Sequence, residues 1–338
     1  MRILVTGATG FVGSHTARAL ARAGFPLRLL VRDRAKAERV LGAHGVDISD
    51  CQLGDVTDPD AVSRALEGCD GVVHAAAIVA LESRRAAEVL RTNARAAELV
   101  LGGAHERGLR HILYVSSLSV LFNPGGPPIS VHSPLAVSES AYVRSKTEAE
   151  RFVRRLQAEG APIRSTYPPA VVGPDDPGLS VGNLALRTFL RNGMALTSSG
   201  FQIVDVRDLA ALHAALLQPG AQAGRYIAAG HFFSWRALAD LLDALTGGRV
   251  RRVRVPGALL RGLGRLGDAA QHVRPFDLPL SAEAMDYATR WPGSERSPEV
   301  EALGVGFRDA RETLADALRW LCRAGYLEPR RAGRLAGD

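Results

Sequence analysis

The spacing of apolar positions changes along the chain and marks its elements. Residues 2–6 (RILVT) are a short apolar run closed by Gly7, too short for a helix and suited to a buried parallel strand. Residues 12–23 repeat apolar positions at helical spacing and stop at Gly24, and LRLLV (27–31) follows Pro26 as a second strand. The pattern predicts further helices at 34–43, 58–67, 85–107 and 141–157, and strands at 48–53, 71–77, 111–117 and 162–168. Asp58 and Pro59 stand as N-cap and first residue of the helix at 58–67. Strand alternating with helix through residue 168 implies an α/β fold, a doubly wound parallel sheet with helices on both faces.

Beyond residue 173 the rhythm loosens. Residues 173–200 and 231–325 read as mostly helical, with short strands near 201–206 and 249–255. The expected division is a parallel-sheet domain at 1–175, with 201–230 returning to it. A smaller, mostly helical lobe takes 176–200 and 231–325, and 326–338 forms a flexible tail. The stretch 123–128 (NPGGPP) is a loop inside the first unit, because strand–helix alternation resumes after it.

Composition narrows the class. Of 338 residues, 46% are hydrophobic and 23% charged, which excludes wholesale disorder. No apolar run approaches the roughly 18 residues a membrane span requires, and the opening MRILVTGATG lacks the apolar core of a signal peptide. Cys51, Cys69 and Cys322 have no metal or disulfide spacing, so no metal site and a reducing cytoplasm are expected. Net charge is +7. The one dense basic cluster, Arg249, Arg251, Arg252 and Arg254, alternates with valines and has no interleaved aromatics, so nucleic acid is not the expected partner. Residues 258–273 fit either a lobe segment or an amphipathic segment lying on a membrane surface. Their three glycines disfavour a helix and favour the first, and no stable membrane insertion is expected.

The stretch TGATGFVG puts Gly7, Gly10 and Gly13 between a strand and a helix. One glycine permits the tight turn, one lets the backbone approach a pyrophosphate, and one allows close helix–strand packing. The helix N-terminus then offers free N–H groups to the phosphates, with Thr9, Gly10, Phe11, Val12 and Gly13 lining the loop. This G-x-x-G-x-x-G loop resembles the opening of extended short-chain dehydrogenase/reductase enzymes, the NAD-dependent epimerase/dehydratase superfamily. The resemblance implies a bound nicotinamide dinucleotide.

At the end of the second strand, where NAD enzymes place an acidic residue, the chain reads LVRDRAK. Arg32 suits a 2′-phosphate through paired donors, and Lys36 can add a second cation. VRD-x-x-K is similar to NADP-using dihydroflavonol reductases, so NADP is the expected cofactor. Two readings compete: Asp33 holds a ribose and the cofactor is NAD, or Arg32 is a solvated surface cation. The resemblance places Asp55 and Val56 at the adenine, although Asp55 also fits a turn cap. It places Ala75, Ala76 and Ala77 of HAAA against the cofactor, with His74 read as a core histidine and Asn93 as structural support.

Tyr142 and Lys146 lie four apart in AYVRSKTEAE, on one helix face. A free phenol has a pKa of about 10, and a neighbouring ammonium lowers it. Ser117 ends the fifth strand, at the edge where a doubly wound sheet carries its site, with Ser116 as the near alternative. In this order Ser117, Tyr142 and Lys146 match the family's catalytic set, and Tyr142 and Lys146 also meet the cofactor. YPPAVVGPDD (167–176) resembles the family segment that puts Pro168 and Val171 beside the nicotinamide. It departs at Tyr167, where arginine is frequent, and at Ala170, where sugar-nucleotide enzymes often carry asparagine. The expected activity is NADP-dependent hydride transfer to or from a carbonyl of a hydrophobic small molecule, similar to dihydroflavonol reductases and 3β-hydroxysteroid dehydrogenases. The alternatives are an NAD-dependent sugar-nucleotide epimerase or dehydratase and a non-catalytic cofactor sensor. Leu118, Leu121, Phe122, Ile129, Phe189, Leu190, Phe232, Phe233 and Trp235 line the expected pocket or else form lobe core. A homodimer is compatible with the sequence.

Overall fold

The computed structural model describes residues 1–79, 85–273 and 281–337. Its first half runs β1 (Ile3–Thr6), α1 (Phe11–Arg22), β2 (Leu27–Val31), α2 (Arg34–Val40), β3 (Cys51–Leu53), α3 (Pro59–Leu66) and β4 (Gly71–His74). There follow α4 (Ala86–Ala97), which passes through a wider π turn at Glu98–Gly102 into α5 (Gly103–Glu106), then β5 (His111–Val115), α6 (Ala141–Ala158) and β6 (Ile163–Tyr167). The second half holds β7 (Ala170–Val172), α7 (Val181–Asn192), β8 (Met194–Leu196), β9 (Gly200–Asp205), α8 (Val206–Leu216), β10 (Gly224–Ile227) and β11 (His231–Ser234). It continues with α9 (Trp235–Thr246), β12 (Arg252–Arg254), α10 (Gly257–Val273), α11 (Ala282–Arg290), α12 (Pro298–Ala302), α13 (Ala310–Arg323) and α14 (Pro329–Ala332).

Seven parallel strands form the main sheet in the order β10-β6-β5-β4-β1-β2-β3. Its central strands β1, β4 and β6 are buried on both faces, and the pleat sends alternate residues to opposite cores. Ile3 and Val5 of β1 and Leu113 and Val115 of β5 join α1 and α8 on one face. Leu4, Ile112 and Tyr114 join α3 and α6 on the other. The strand order reverses between β1 and β4, where Thr6 pairs with Leu30 on one side and His74 on the other. A crevice at the carboxyl ends of these two strands is where such a sheet binds its ligand.

The loose rhythm after residue 173 hides two small sheets. β9 pairs antiparallel with β11 and parallel with β7, and β12 pairs parallel with β8. β9 and β12 fall at the short strands expected near 201–206 and 249–255, whereas β7, β8 and β11, at three or four residues, are too short to leave a period in the sequence. The expected return of 201–230 to the first domain begins only at α8, since β9 stays in the small sheet. α8 packs on α1, and β10 then extends the main sheet beside β6.

Two readings of the lobe are corrected. Residues 326–337 do not trail as a flexible tail, because Leu327, Ala332 and Leu335 are buried in the core formed by α7, α9 and α13. Their apolar side chains find a cover that the local sequence does not reveal. Residues 257–273 form one helix in spite of their glycines. A Cβ on Gly264 would stand 2.7 Å from the Ser281 carbonyl and 2.8 Å from Met285, so this glycine lets α10 lie close to α11. Of the expected lobe and tail, residues 274–280 and 338 lie outside the described residues.

Candidate active site

The glycine loop sits at the reversal point of the sheet. Gly7 has φ +74°, and a Cβ there would meet the Ala76 nitrogen at 2.6 Å. Here β1 and the 75–77 loop touch backbone to backbone, so a side chain at position 7 has no room. A Cβ on Gly13 would lie 2.1 Å from the Gly7 carbonyl, which fixes how closely α1 approaches β1. Gly10 differs from both, since its missing Cβ would meet only the Gly7 carbonyl, at 3.3 Å. Gly10 is also the N-cap of α1, and no side chain caps the helix. The first amides of α1, at Phe11 and Val12, are thereby left for an external acceptor, and the positive end of the helix dipole favours an anion there. This cradle fits a dinucleotide pyrophosphate.

The end of β2 separates its two charged candidates. Asp33 is the N-cap of α2, and its Oδ1 accepts from the Lys36 amide at 3.0 Å. Arg32 projects into solvent with its side chain 76% exposed, and its nearest carboxylate, Asp55, is 4.0 Å away. Asp55 in turn accepts from the Thr57 amide and hydroxyl, which holds its carboxyl below the usual range. It thus shapes the 55–57 turn, and Val56 is half-buried there against the α3 side of the core. Lys36 is half-buried in the first turn of α2.

Ser117, Tyr142 and Lys146 come together beyond the end of β5. Ser117 caps a short 3₁₀ turn (Leu118–Leu121), and its Oγ accepts from the Ser119 amide at 3.2 Å and hydroxyl at 2.9 Å. Ser140 caps α6, which then presents Tyr142 and Lys146 one turn apart. Burial pushes the Tyr142 phenol up from its ordinary value, and the neighbouring Ser117 hydroxyl pulls it part of the way back. This differs from a phenol lowered by its lysine. The Lys146 ammonium donates instead to the Val115 carbonyl at 2.8 Å and lies 5.0 Å from the Tyr114 ring centroid. Burial brings its own pKa down to about 8, opposed by the charge of Glu150.

The two neighbouring serines have different partners. Ser116 is buried and donates to Glu150 Oε2 at 2.9 Å. Glu150 is fully buried one turn after Lys146, and Tyr167 and Arg154 also donate to it. The phenol at position 167 therefore has a carboxylate partner inside the protein. His74 is a core residue, bonded to the Thr6 hydroxyl at 2.8 Å, and burial lowers its pKa to about 3. Asn93 braces the site from α4, bonding both backbone groups of Ile78 and the Ser145 hydroxyl. Pro168 is buried, and its carbonyl accepts the Leu118 amide at 2.9 Å. Val171 lies half-buried in β7.

The lobe contributes residues that the sequence pattern did not single out. The charge of Glu283 in α11 adds to the rise of the Tyr142 phenol, burial together with Glu283 and Tyr142 in turn raises the Tyr287 phenol, and Tyr287 stacks on Phe122 with ring centroids 4.7 Å apart. Glu283, Tyr287 and Trp291 recur every four residues, which was the available signal. Most of the expected pocket lining is core instead. Leu118, Leu121, Phe122 and Ile129 are buried together, and Phe189 and Trp235 pack edge to face within the lobe core. Leu190 and Phe233 join that core, while Phe232 is exposed. Aromatic rings bury against one another wherever a core is available, so an aromatic count does not by itself mark a pocket.

Residues 3–229 match the profile of the NAD dependent epimerase/dehydratase family, a span that includes the glycine loop, the reversal crevice and the Ser–Tyr–Lys set. The chain belongs to this family. Its fold and motifs make it an extended short-chain dehydrogenase/reductase, an NAD(P)-dependent oxidoreductase. A Synechocystis protein named for dihydroflavonol 4-reductase activity is 28% identical, the match covering 96% of this chain and 95% of the relative. Sterol demethylase protein B of Methylococcus capsulatus is 27% identical over 97% of this chain and all of the relative. A nucleoside-diphosphate-sugar epimerase from Pseudomonas aeruginosa superposes with a TM-score of 0.76 at 22% identity, over 97% of this chain and 99% of that one, and shows the shared fold alone. No described helix is long and apolar enough to cross a membrane.

Proposed function

We propose that this enzyme is an NADP-dependent carbonyl reductase or alcohol dehydrogenase acting on a hydrophobic small molecule. The observation that carries the cofactor choice is the division of labour at the end of β2. Asp33 is committed to the first turn of α2, while Arg32 stands exposed with donors to offer a 2′-phosphate. The reductase names among its relatives support this reading. So does Ala170, a methyl packed against the lobe core with no group to bind a sugar nucleotide.

In this reading the Gly7–Gly13 loop and the first amides of α1 hold the pyrophosphate, with Thr9, Phe11 and Val12 around it. Arg32 and Lys36 hold the 2′-phosphate. Asp55 and Val56 border the adenine, Ala75, Ala76 and Ala77 pass beside the cofactor, and Pro168 and Val171 border the nicotinamide. A nicotinamide held there would supply the hydride chemistry at the substrate carbon. Ser117 donates a hydrogen bond to the substrate oxygen, and Tyr142 gives that oxygen its proton in reduction and takes it back in oxidation. A phenol kept protonated by burial is suited to the donor role at neutral pH. Lys146 anchors the site to β5 through Val115 and is placed to hold the ribose. Its charge lies on the same helix face as Tyr142 and stabilises negative charge that develops there.

The test is mass spectrometry of nucleotide released from freshly purified, denatured protein, beside NADPH and NADH titrations of the native protein. Little retained nucleotide and NADPH binding at least about tenfold tighter than NADH is the expected result, since charge-assisted bonds to a phosphate contribute about 1.5–3 kcal/mol. Stoichiometric retained NAD overturns it, because an enzyme that regenerates its own cofactor within each cycle can keep it. That outcome moves the search to sugar nucleotides.

A further inference from the structure

We infer that the outer face of the lobe, built from β12, α10 and the cleft between them, is a docking surface for an anionic lipid bilayer. The inference goes beyond the proposed reaction and does not depend on it. α10 packs one face on α11 through Gly264, through Asp268, which accepts the Ala282 amide at 2.9 Å, and through Arg261, which donates to Thr289 at 3.1 Å. Its opposite face has no cover among the described residues. Leu259 is 56% exposed, Leu263 44% and Leu266 67%. At the pitch of an α-helix these three and exposed Ala270 fall within an arc of about 60°. Three neighbouring exposed leucines form a stripe, whereas a lone exposed leucine is unremarkable.

Charge decides what the stripe faces. Between Asp243 and Asp268 the sequence holds six arginines and no acidic residue. Arg252 is neutralised by Asp240 and Asp243. Arg251, Arg254 and Arg265 are exposed, and no carboxylate among the described residues is within ion-pair distance of them. Val253 is 48% exposed between two of these cations. An open cleft of about 640 Å³ adjoins the start of α10 at Gly257, lined by Arg236 and Arg254 with the hydroxyl residues Thr197, Ser198 and Ser234. Cations with hydroxyls suit a phosphate headgroup, and leucines on the next two turns suit the acyl boundary beneath it. A protein partner would need acids opposite the arginines and an apolar groove opposite the leucines. A bilayer with anionic headgroups supplies both layers at once.

The experiment is flotation with vesicles of pure phosphatidylcholine and with vesicles containing about one-third phosphatidylglycerol, at low salt and at about 0.5 M salt. The protein is expected to float with the anionic vesicles only and to be released by salt. A Leu259→Ser/Leu263→Ser/Leu266→Ser variant and an Arg251→Glu/Arg254→Glu variant should each lose at least about tenfold in partitioning. Both should keep wild-type NADPH titrations and circular dichroism. Absence of flotation with anionic vesicles overturns the inference. So does a leucine variant that floats like wild type, which would show adsorption by net charge alone. Light scattering that finds a wild-type dimer turned monomer by the leucine substitutions also overturns it, by assigning the stripe to a second copy of the chain.

Discussion

The two halves of the molecule position their functional atoms by different means. The cofactor half does so with backbone. Gly7 touches the 75–77 loop, Gly13 touches Gly7, and α1 begins without a side-chain cap. Each of these relations is short in sequence or follows from strands pairing side by side. The lobe does so with side chains carried in from afar. Tyr287 reaches Phe122 only because α11 packs across the 3₁₀ turn after β5. A site made from backbone tolerates almost no change at its glycines. A site made from packed side chains can be altered more gradually.

The largest effect that tests this contrast belongs to neither half alone. Tyr142→Phe should lower kcat by roughly 10²–10⁴-fold, the usual weight of a positioned proton donor, with NADPH affinity unchanged. Steady-state reduction of apolar ketones, followed by NADPH absorbance, reads it. Near wild-type turnover would remove Tyr142 from the chemistry.

The glycine loop comes next. Gly13→Ala forces a methyl to within 2.1 Å of the Gly7 carbonyl and should lower both the melting temperature and cofactor binding. Gly10→Ala has only one contact, at 3.3 Å, and an ordinary φ of −96°. It should keep the melting temperature within a few degrees and weaken NADPH at least about tenfold, because the methyl intrudes on the phosphate position. Equal loss of stability in the two variants would break the distinction between packing glycine and binding glycine.

Arg32→Ser should weaken NADPH about 10- to 100-fold and leave NADH within about twofold, as for loss of charge-assisted bonds to one phosphate. Fluorescence titration with both nucleotides measures it, and parallel weakening of the two would show that Arg32 does not read the 2′-phosphate. In the lobe, Tyr287→Leu should raise KM several-fold with kcat little changed, since an aromatic pair contributes only about 0.5–1.5 kcal/mol beyond its buried area. A kcat loss as large as that of Tyr142→Phe would make the lobe part of the chemical step.

The smallest expected effect concerns acid stability. His213 is buried between the Thr16 and Thr166 hydroxyls, at 2.8 and 3.0 Å, and burial lowers its pKa to about 3. The unfolded chain takes up that proton near pH 6.5, so it binds more protons than the folded state between these values. Stability therefore falls as pH drops through that window. Urea unfolding at pH 7 and pH 5 should show His213→Gln losing less stability on acidification than wild type does. Identical losses would place the acid sensitivity elsewhere, with His74 and His15 as further buried rings whose pKa values burial lowers.

The parallel sheet was legible because its strands are apolar runs punctuated by Gly7, Gly24 and Pro26, and because each helix repeats its own period. The glycine loop, Ser117, Tyr142 and Lys146 were legible because each lies at a fixed offset from a strand end or within one turn of helix. Local geometry is written in local residues. The raised pKa of Tyr142, the Val115 partner of Lys146 and the bond from Ser116 to Glu150 were not legible, since each depends on what the tertiary structure packs against the side chain.

The sequence by itself therefore determined the fold class, the place of the cofactor loop and the order of the Ser–Tyr–Lys residues. Periodicity, turn chemistry and helical spacing act over a few residues and need no distant partner. Only the tertiary structure decided which aromatics are core, that residues 326–337 close the lobe, and that Glu283 and Tyr287 stand by the phenol. It also decided that the leucines of α10 point outward. Burial and desolvation depend on what packs opposite a side chain, and those neighbours lie up to a hundred or more residues away.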